Sequence, residues 1–231
     1  MTTLYTKDDW LAAQIHKDAY RILPSSGLTT SRLSALPSDL SFCYAKVAAD
    51  ETLSVAGLVG SGFRFINAQA SLTKDTTEFA GHSADNVRQT RSEDRDAVWN
   101  IAYQSFIFDR FHLDQELNQF ADRLNASWAV NYYAGNRGTD MLVWEENGKV
   151  AGFILLIIQN DLFSIDLIAV DRQFARQGIA YHLVAAAEAK YSHCTRYEVV
   201  TQLENNPALQ LYSRLGYTVN SIDFILHRHG R

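Results

Sequence analysis

The sequence predicts an α/β fold built on a sheet of mixed strand direction. From residue 93 onward, the apolar periodicity gives the element order α-α-β-β-β-α-β-α-β. Residues 162–192 have the pattern of a strand, a tight basic loop that contains Gly178, and a helix. Residues 42–74 form a shorter strand-helix-strand pattern. Strands that alternate with helices favour parallel pairing, and a predicted hairpin at 141–158 adds antiparallel pairing.

Composition excludes several classes of protein. The chain has 231 residues, so it fits one large domain or two small ones, and its net charge of −5 argues against a nucleic-acid binder. Cys43 and Cys194 lack the paired spacing of a zinc site or a disulfide framework. The N-terminus has early charges and no apolar signal core, and the longest apolar run, Val150–Ile158, is too short to span a bilayer. We therefore expect a cytoplasmic protein without nucleic-acid or membrane partners.

Residues 1–75 are predicted to form a partial unit that precedes the main domain. The predicted elements are a helix at Asp8–Tyr20, a turn at Pro24–Gly27, a short helix at Thr29–Ala35, a strand at Phe42–Ala48, a helix at Thr52–Val59 and a strand at Ala68–Lys74. Residues 76–92 are polar and lack periodicity, so they are the predicted linker, with room for a small strand.

Residues 93–231 are predicted to form the main domain. Its predicted elements are helices at Glu93–Ser105 and Leu117–Tyr133, strands at Met141–Glu145, Val150–Ile158, Leu162–Val170 and Tyr197–Thr201, helices from Ile179 and at 206–215, and a strand at Ser221–Arg228. Asn147-Gly148 is a hairpin turn of the Asn-Gly kind.

The two strand-helix-strand patterns resemble each other. Gly62-Phe63 aligns with Gly216-Tyr217, and Leu72 then aligns with Leu226 without a gap. We interpret this as a weak internal repeat. The alternative is that any such unit with a Gly-aromatic pair after its helix gives the same alignment.

The loop before the helix at Ile179 has the features of an anion site. No Ser, Thr, Asp or Asn cap precedes this helix, so its first N–H groups are free to bind an anion. Gly178 allows the backbone to approach a ligand closely, and Arg172 and Arg176 add positive charge. A diphosphate suits this place; the alternative is an ordinary turn with surface arginines.

A second pattern spans the helix at 206–215. Pro207 suits its first turn and Gly216 its exit. Ala208, Leu211, Tyr212 and Leu215 share one face, which places Tyr212 where the core meets an adjoining cleft. Tyr212 is then either a packing residue or a functional phenol.

Together, Gln177-Gly178-Ile179-Ala180 and the set Asn205, Ala208, Leu211-Tyr212 and Gly216-Tyr217 resemble the GNAT (GCN5-related N-acetyltransferase) superfamily. The order of elements from 93 to 229 is similar as well. The resemblance implies a GNAT fold with splayed parallel strands, preceded here by a partial GNAT-like N-terminal unit. It also implies an acyltransferase that uses acetyl-CoA as co-substrate and a small-molecule amine as acceptor.

On this resemblance, acetyl-CoA lies between the splayed strands 162–170 and 196–202. The residues implied for binding it are the backbone of Ile168, Ala169 and Val170, the loop residues Arg176, Gln177, Gly178, Ile179 and Ala180, and Asn205 and Ala208. One position departs from the family pattern: Ala175 stands where many members carry Arg or Gln. Pyrophosphate binding would therefore depend more on backbone groups. A homodimer is compatible with this assignment.

The resemblance implies direct acyl transfer through a tetrahedral intermediate, with strand N–H groups stabilising its oxyanion. Tyr212 would protonate the departing thiolate, since a phenol with a pKa of about 10 is a competent donor. Asp166 is the candidate base for the amine, and equally a candidate structural residue.

The layout also resembles the N-acetyltransferases of dTDP-4-amino-4,6-dideoxygalactose in bacterial surface polysaccharide synthesis. On that resemblance Arg110 and His112 would meet nucleotide-sugar phosphates, and Tyr103 or Asp114 the sugar. The alternative is that His112 caps a helix and Arg110 pairs with Asp109 or Asp114. We expect no metal at His227 or His229.

Two other functions fit the same sequence. The acceptor amine could belong to an amino acid, a polyamine, an antibiotic or a protein N-terminus. The chain could also be a non-catalytic acyl-CoA-binding module, although a binder has no need of Tyr212 as a proton donor.

Overall fold

The computed structural model describes residues 4–23, 27–37, 39–75 and 85–230. The strands are β1 (Tyr5–Lys7), β2 (Ala19–Ile22), β3 (Phe42–Ala48), β4 (Arg64–Asp75), β5 (Val87–Gln89), β6 (Asp140–Glu146), β7 (Lys149–Gln159), β8 (Leu162–Val170), β9 (Arg196–Gln202) and β10 (Thr218–His229). The α-helices are α1 (Asp9–Ile15), α2 (Thr30–Leu33), α3 (Thr52–Gly60), α4 (Arg95–Ser105), α5 (Asn118–Val130), α6 (Ile179–Lys190) and α7 (Asn206–Arg214).

All of these strands belong to one sheet, in the order β1-β2-β3-β10-β4-β9-β8-β7-β6-β5. The pairs β2–β3 and β8–β9 are parallel, and the other neighbouring pairs are antiparallel. The sheet is therefore mixed, as the sequence predicts.

Helices cover both faces of the sheet. On one face, α6 and α7 pack through Leu183, Val184 and Tyr212 against apolar side chains of β4, β7, β8 and β9. On the other face, α4 and α5 pack against β6, β7 and β8, and α5 continues to a separate cluster with α1 and β3. Each helix buries an apolar stripe, which is the usual solution for an α/β sheet.

The N-terminal unit and the main domain share this sheet by exchanging strands. The last strand of the first strand-helix-strand unit, β4, pairs with β9 of the second unit. The last strand of the second unit, β10, pairs in turn with β3 of the first. Strands β4 and β10 lie side by side at the centre. The division at 75 and 93 remains a prediction about chain organisation, since the two units are interleaved in space.

The register of these pairs repeats under one shift of 154 residues, which is the separation of Gly62 from Gly216. Gln69 faces Gln202, and the shifted pair, Asp223 and Ala48, is also observed. The two register shifts between β4 and β10 skip Ile66 and Asn220, which the same shift relates. This agreement supports the internal repeat against the alternative of a chance alignment.

Some element predictions are corrected by the structure. The helix predicted at Asp8–Tyr20 ends at Ile15, because His16 adopts a left-handed conformation with φ 56°. Residues from Ala19 onward then form β2, whose partners β1 and β3 come from other parts of the chain. The predicted turn at Pro24–Gly27 lies largely outside the described residues.

The predicted linker is described only from residue 85, since 76–84 lie outside the described residues. Its described part contains β5, which pairs with β6 at the sheet edge. None of the helices in the described ranges is long and apolar enough to cross a membrane.

Candidate active site

The parallel strands β8 and β9 separate halfway along their length. They pair from Leu162 with Arg196 to Ile165 with Val199. Among the described residues the two strands form no pair beyond this point, although β8 continues to Val170 and β9 to Gln202. A bulge in β8 at Asp166 coincides with this point, and a bulge bends its strand. The result is a gap between the two strands, as the sequence predicts.

Ile168, Ala169 and Val170 line this gap with their backbone. On their other side they pair with β7, with Val170 opposite Gly152. The side that faces β9 has no ladder partner in the described part of the chain. Backbone groups at such an edge are ready to bond an extended chain. An amide-bearing arm such as pantetheine fits this edge.

The loop that leads into α6 presents a row of free N–H groups. Gly178 is the N-cap of α6 at φ +81°, without a side-chain cap. Within the described residues, the N–H groups of Gln177, Gly178, Ile179 and Ala180 form no backbone hydrogen bond before the helix ladder begins. Arg176 also has a positive φ of 62°. The helix dipole and these donors favour an anion, so the predicted pyrophosphate loop fits its ligand.

Helix α7 brings Asn205 and Tyr212 to the same side of the sheet as α6. The Asn205 Oδ1 accepts a hydrogen bond from the Ala208 N–H at 3.3 Å, which caps the helix. The amide nitrogen of Asn205 is then left for a ligand. The Tyr212 ring is 2% exposed and packs edge-on against Tyr217 at 5.7 Å.

The Tyr212 hydroxyl suits a proton donor. The Tyr212 hydroxyl forms no hydrogen bond with the described side chains. Burial raises the pKa of Tyr212 well above its usual value. A phenol of this kind keeps its proton throughout the physiological range. The role implied by the resemblance is therefore chemically available.

A buried ion pair supports this wall of the site, and sequence reasoning missed it. The Lys74 Nζ lies 2.7 Å from the Glu188 Oε2, and the Tyr217 hydroxyl donates to the Glu188 Oε1 at 2.9 Å. Lys74 belongs to β4, Glu188 to α6, and Tyr217 follows α7. The Glu188 carboxylate thus joins β4, α6 and the residue that follows α7, on the side of the sheet where acetyl-CoA is predicted to bind. No short motif signals a pairing at this sequence distance.

Asp166 does not have the surroundings of a free base. Arg137 donates two hydrogen bonds to the Asp166 carboxylate, from Nε at 2.6 Å and from Nη2 at 2.5 Å. The Trp128 Nε1 donates a third at 3.1 Å. The Asp166 side chain is 7% exposed. Both carboxylate oxygens are engaged, so the contacts favour the structural alternative for Asp166. The sequence could not reveal this, because Arg137 precedes a different strand.

A row of polar side chains lies on the sheet face opposite α6 and α7, beside the gap. The row contains Glu198 and Gln202 of β9, Gln69 of β4 and Asp223 of β10. Strand alternation and register place these side chains on the same face of the sheet. Glu198 accepts a hydrogen bond from the Ser164 Oγ at 3.0 Å. All of these side chains remain partly exposed. We call this row the polar floor.

Sequence reasoning missed the polar floor, although one signal for it was present. Strand β9 alternates Tyr197, Val199 and Thr201, which are buried, with Glu198, Val200 and Gln202, which are not. Such alternation indicates a strand with one open face. It does not reveal which strands lie next to β9, and β4 and β10 complete the floor.

The segment 106–117 joins α4 to α5 and borders the floor. The Asn67 Nδ2 donates to the Phe108 carbonyl at 3.3 Å, which ties this segment to β4. The Arg110 guanidinium stacks on Tyr44 at 3.9 Å and on Phe111 at 4.5 Å. Arg110 forms no ion pair with a carboxylate in the described ranges, and its Nη1 is buried without a hydrogen-bond partner there. The structure therefore shows no direct ion pair of Arg110 with Asp109 or Asp114, although the charge of Asp109 acts on Arg110.

His112 is held in place by acids. Its Nδ1 contacts Asp109 at 2.5 Å and its Nε2 contacts Asp122 at 3.0 Å. The hydrogen bond with Asp109 raises the pKa of His112. These contacts favour a structural role over the predicted phosphate contact. Tyr103 lies on α4 with 43% of its surface exposed, so it remains accessible to a ligand.

Asp114 and the two C-terminal histidines lie together. The Asp114 Oδ2 contacts the His227 Nδ1 at 2.6 Å and the His229 Nε2 at 2.8 Å. Asp114 is 5% exposed, so it does not face a sugar as the resemblance implied. Asp166, His112 and Asp114 are therefore all engaged in internal contacts.

Comparisons with known proteins agree with this geometry. The family model described as acetyltransferase (GNAT) family matches residues 95–217. The spore coat polysaccharide biosynthesis protein SpsD of Bacillus subtilis is 29% identical over 138 residues, which are 58% of this chain and 47% of that protein. The chain thus spans about half the length of the curated relative it matches.

Solved structures show the same fold. A GCN5-related N-acetyltransferase from Sphaerobacter thermophilus superposes with a TM-score of 0.65 at 14% identity, over 98% of this chain and 76% of that one. A tandem GNAT protein from the clavulanic acid biosynthesis pathway gives a TM-score of 0.60 at 13% identity, over 92% and 75%. Since the family model covers more than half of the chain, this protein belongs to the GNAT family of acetyltransferases, whose co-substrate is acetyl-CoA.

Proposed function

We propose that this acetyltransferase acetylates the primary amine of a nucleotide-linked amino sugar in surface polysaccharide synthesis. The polar floor is the observation that carries the proposal. Glu198, Gln202, Gln69 and Asp223 offer acceptors and donors beside the gap where the acetyl group would emerge. A sugar with several hydroxyl groups can form hydrogen bonds with such a surface at several points, whereas an aliphatic amine can do so only through its nitrogen. The name of the Bacillus subtilis relative points in the same direction.

Arg110 adds a place for the charged part of this acceptor. Its guanidinium forms no direct ion pair in the described ranges, where its Nη1 also lacks a hydrogen-bond partner. Burial lowers the pKa of Arg110, although the charges of Asp8 and Asp109 act in the opposite direction. Leaving a buried charge unpaired is costly, and a phosphate oxygen would offset that cost. Arg110 lies in the segment that borders the polar floor, so a diphosphate beside the sugar is within reach of the same cleft.

Glu198 is our candidate for the base that accepts the proton of the acceptor amine. It lies on β9 one pair before the strands separate. Among the described residues, Ser164 engages its Oε1, and its Oε2 has no hydrogen-bond partner. The deprotonated amine attacks the acetyl carbonyl carbon, and free N–H groups of β8 stabilise the oxyanion. When the carbon–sulfur bond breaks, the Tyr212 hydroxyl gives its proton to the thiolate. The nitrogen loses its second proton as the amide forms, and this proton balances the one that the Tyr212 phenolate regains through solvent. The proposal places this reaction in the cytoplasm, where acetyl-CoA is available.

Thermal shift and thiol release test the acceptor. The protein would be heated with acetyl-CoA, then with acetyl-CoA plus a dTDP-amino sugar, the free amino sugar, a polyamine or an amino acid. We expect a further rise in Tm and release of free CoA with the nucleotide-linked sugar. Turnover of a polyamine or an amino acid, with none of the sugar nucleotide, would overturn the acceptor and keep the acetyltransferase.

Arg110→Met tests the anion subsite separately. We expect KM for the nucleotide-linked amino sugar to rise about tenfold or more, with KM for acetyl-CoA unchanged, because one charge-assisted contact is lost. Arg123→Met is the matched control, since Arg123 is exposed on α5. Equal KM values in the two variants would remove Arg110 from the acceptor site.

A further inference from the structure

Three side chains of types that can bind a metal meet at the end of β10, away from the predicted pyrophosphate loop. Asp114, His227 and His229 each offer one ligand atom, and these atoms lie within 4.8 Å of one another. His227 is 1% exposed and Asp114 5% exposed. His227 and His229 are two residues apart on one strand, so their side chains point to the same face.

We propose that Asp114, His227 and His229 form a zinc site that fixes segment 106–117 to the last strand of the sheet. Two imidazole nitrogens and one carboxylate oxygen are ligands that Zn²⁺ accepts, and three protein ligands leave a fourth position for water. The ligand atoms would be the Asp114 Oδ2, the His227 Nδ1 and the His229 Nε2.

The present distances require only a small adjustment. In a tetrahedral site with bonds of about 2.0–2.1 Å, two ligand atoms lie about 3.3 Å apart. The two nitrogens now contact the Asp114 Oδ2 at 2.6 and 2.8 Å. The contact with His227 would lengthen by about 0.7 Å and the contact with His229 by about 0.5 Å, which side-chain rotation can provide.

The surroundings of His229 resemble an outer shell of a zinc site. The His229 Nδ1 lies 3.2 Å from the Glu116 Oε2, so it can donate to this carboxylate while Nε2 faces the metal. The Asp114 Oδ1 accepts the Glu116 N–H at 3.0 Å, which orients the first ligand. The Lys17 Nζ lies 3.7 Å from the Glu116 Oε2 and 3.5 Å from the His229 Nδ1. The Glu116 carboxylate partly balances the charge of Lys17.

The site would hold together parts of the chain that are far apart in sequence. Asp114 lies between α4 and α5, whereas His227 and His229 end β10. The Phe42 ring packs against both imidazoles, at 4.9 and 5.0 Å, and closes the cluster toward the core. A metal here would stabilise the segment that carries Arg110.

Metal binding to the full chain tests this site without any assay of acetyl transfer. The protein, freed of metal with a chelator and dialysed, would be titrated with Zn²⁺ against a fluorescent competitor and with Co²⁺ by visible absorption. We expect one ion per chain, strong d–d bands of a tetrahedral Co²⁺ site, and a higher Tm with Zn²⁺. Absence of stoichiometric Zn²⁺ and of the Co²⁺ bands would overturn the proposal.

Variants assign the site to these residues. His229→Gln should abolish stoichiometric binding, and Glu116→Gln should weaken it about 10–100-fold. His193→Ala is the control, since His193 is exposed and distant in the fold. Should His229→Gln fail to fold, Glu116→Gln and the native Co²⁺ spectrum still decide the question. Unchanged affinity in both variants would contradict the assignment.

Discussion

Asp223 lies directly opposite Gln69 at the centre of the pair β4–β10, and the shift of 154 residues that relates the two halves of the chain maps each of them onto the other. The approximate twofold axis of the sheet therefore passes between these two side chains. Both belong to the polar floor. The N-terminal unit thus contributes directly to the surface on which we place the acceptor, rather than acting as a separate appendage.

The Tyr212→Phe substitution tests the proton donor. We expect kcat to fall about 10²–10⁴-fold, because the thiolate loses its acid, while the Kd of acetyl-CoA stays within about twofold. Stopped-flow thiol release and calorimetry would measure the two quantities. Tyr20→Phe, on β2, is the control. A parallel loss of binding and turnover would mean that Tyr212 is a packing residue.

The variants Glu198→Gln and Asp166→Asn test which of the two carboxylates serves as the base. We expect Glu198→Gln to lower kcat about 10²-fold or more and to remove the acidic limb of the pH–rate profile. Asp166→Asn should lower the free energy of unfolding, because Arg137 and Trp128 lose their partner, and should keep that limb. The reverse pattern would restore Asp166 as the base. Glu93→Gln, on the exposed surface before α4, is the control.

Gly178→Ala tests the pyrophosphate loop. An added Cβ would meet only the His182 ring, at 3.7 Å, so the effect comes from the φ of +81° and not from a clash. We expect a cost of about 1–2 kcal/mol in stability and weaker binding of CoA, with binding of pantetheine unchanged. Gly135→Ala has φ +70° and open space around its Cβ, which makes it a matched control for strain. Equal CoA affinity in the two variants would argue against the anion site.

The buried ion pair of Lys74 and Glu188 should contribute strongly to the free energy of unfolding. Lys74→Met leaves the Glu188 charge buried beside Tyr217, so we expect a loss of about 3–5 kcal/mol in urea unfolding. The double variant Lys74→Met, Glu188→Gln should recover part of this loss, since no unpaired charge remains. Arg95→Met, whose partner is exposed, should change the urea midpoint little. Additive effects of the two buried substitutions would contradict a coupled pair.

Stability toward acid should depend on Asp94. The Arg88 guanidinium donates to both oxygens of Asp94, at 2.7 and 2.9 Å, and this hydrogen bonding lowers the pKa of Asp94 in the folded state. A lowered folded-state pKa gives stability that is present above the unfolded value of about 3.9 and is lost as the pH falls through the folded value. The difference in unfolding free energy between native protein and Asp94→Asn should therefore shrink below about pH 4. A difference that is constant from pH 7 to pH 3 would exclude this linkage.

The limits of sequence-based prediction follow from how each feature is encoded. The bounds of Phe42–Ala48 and Leu162–Val170 are observed as predicted, because an apolar run between polar residues marks a buried strand locally. The helix at Asp8–Tyr20 was overextended, because residues 19–22 join a sheet whose partners lie elsewhere in the chain. Pattern alone does not reveal pairing of that kind.

The sequence by itself determined the order of elements from residue 93 onward, the loop at Gly178 and the helix that carries Asn205 and Tyr212. These features depend on the backbone preferences of a few adjacent residues, so short motifs encode them. Tertiary structure alone decided that Arg137 engages Asp166, that β4 pairs with β9 and β10 with β3, and that Asp114 meets His227. Each of these depends on side chains from distant segments, and burial and hydrogen bonding select such partners only when the whole sheet has formed.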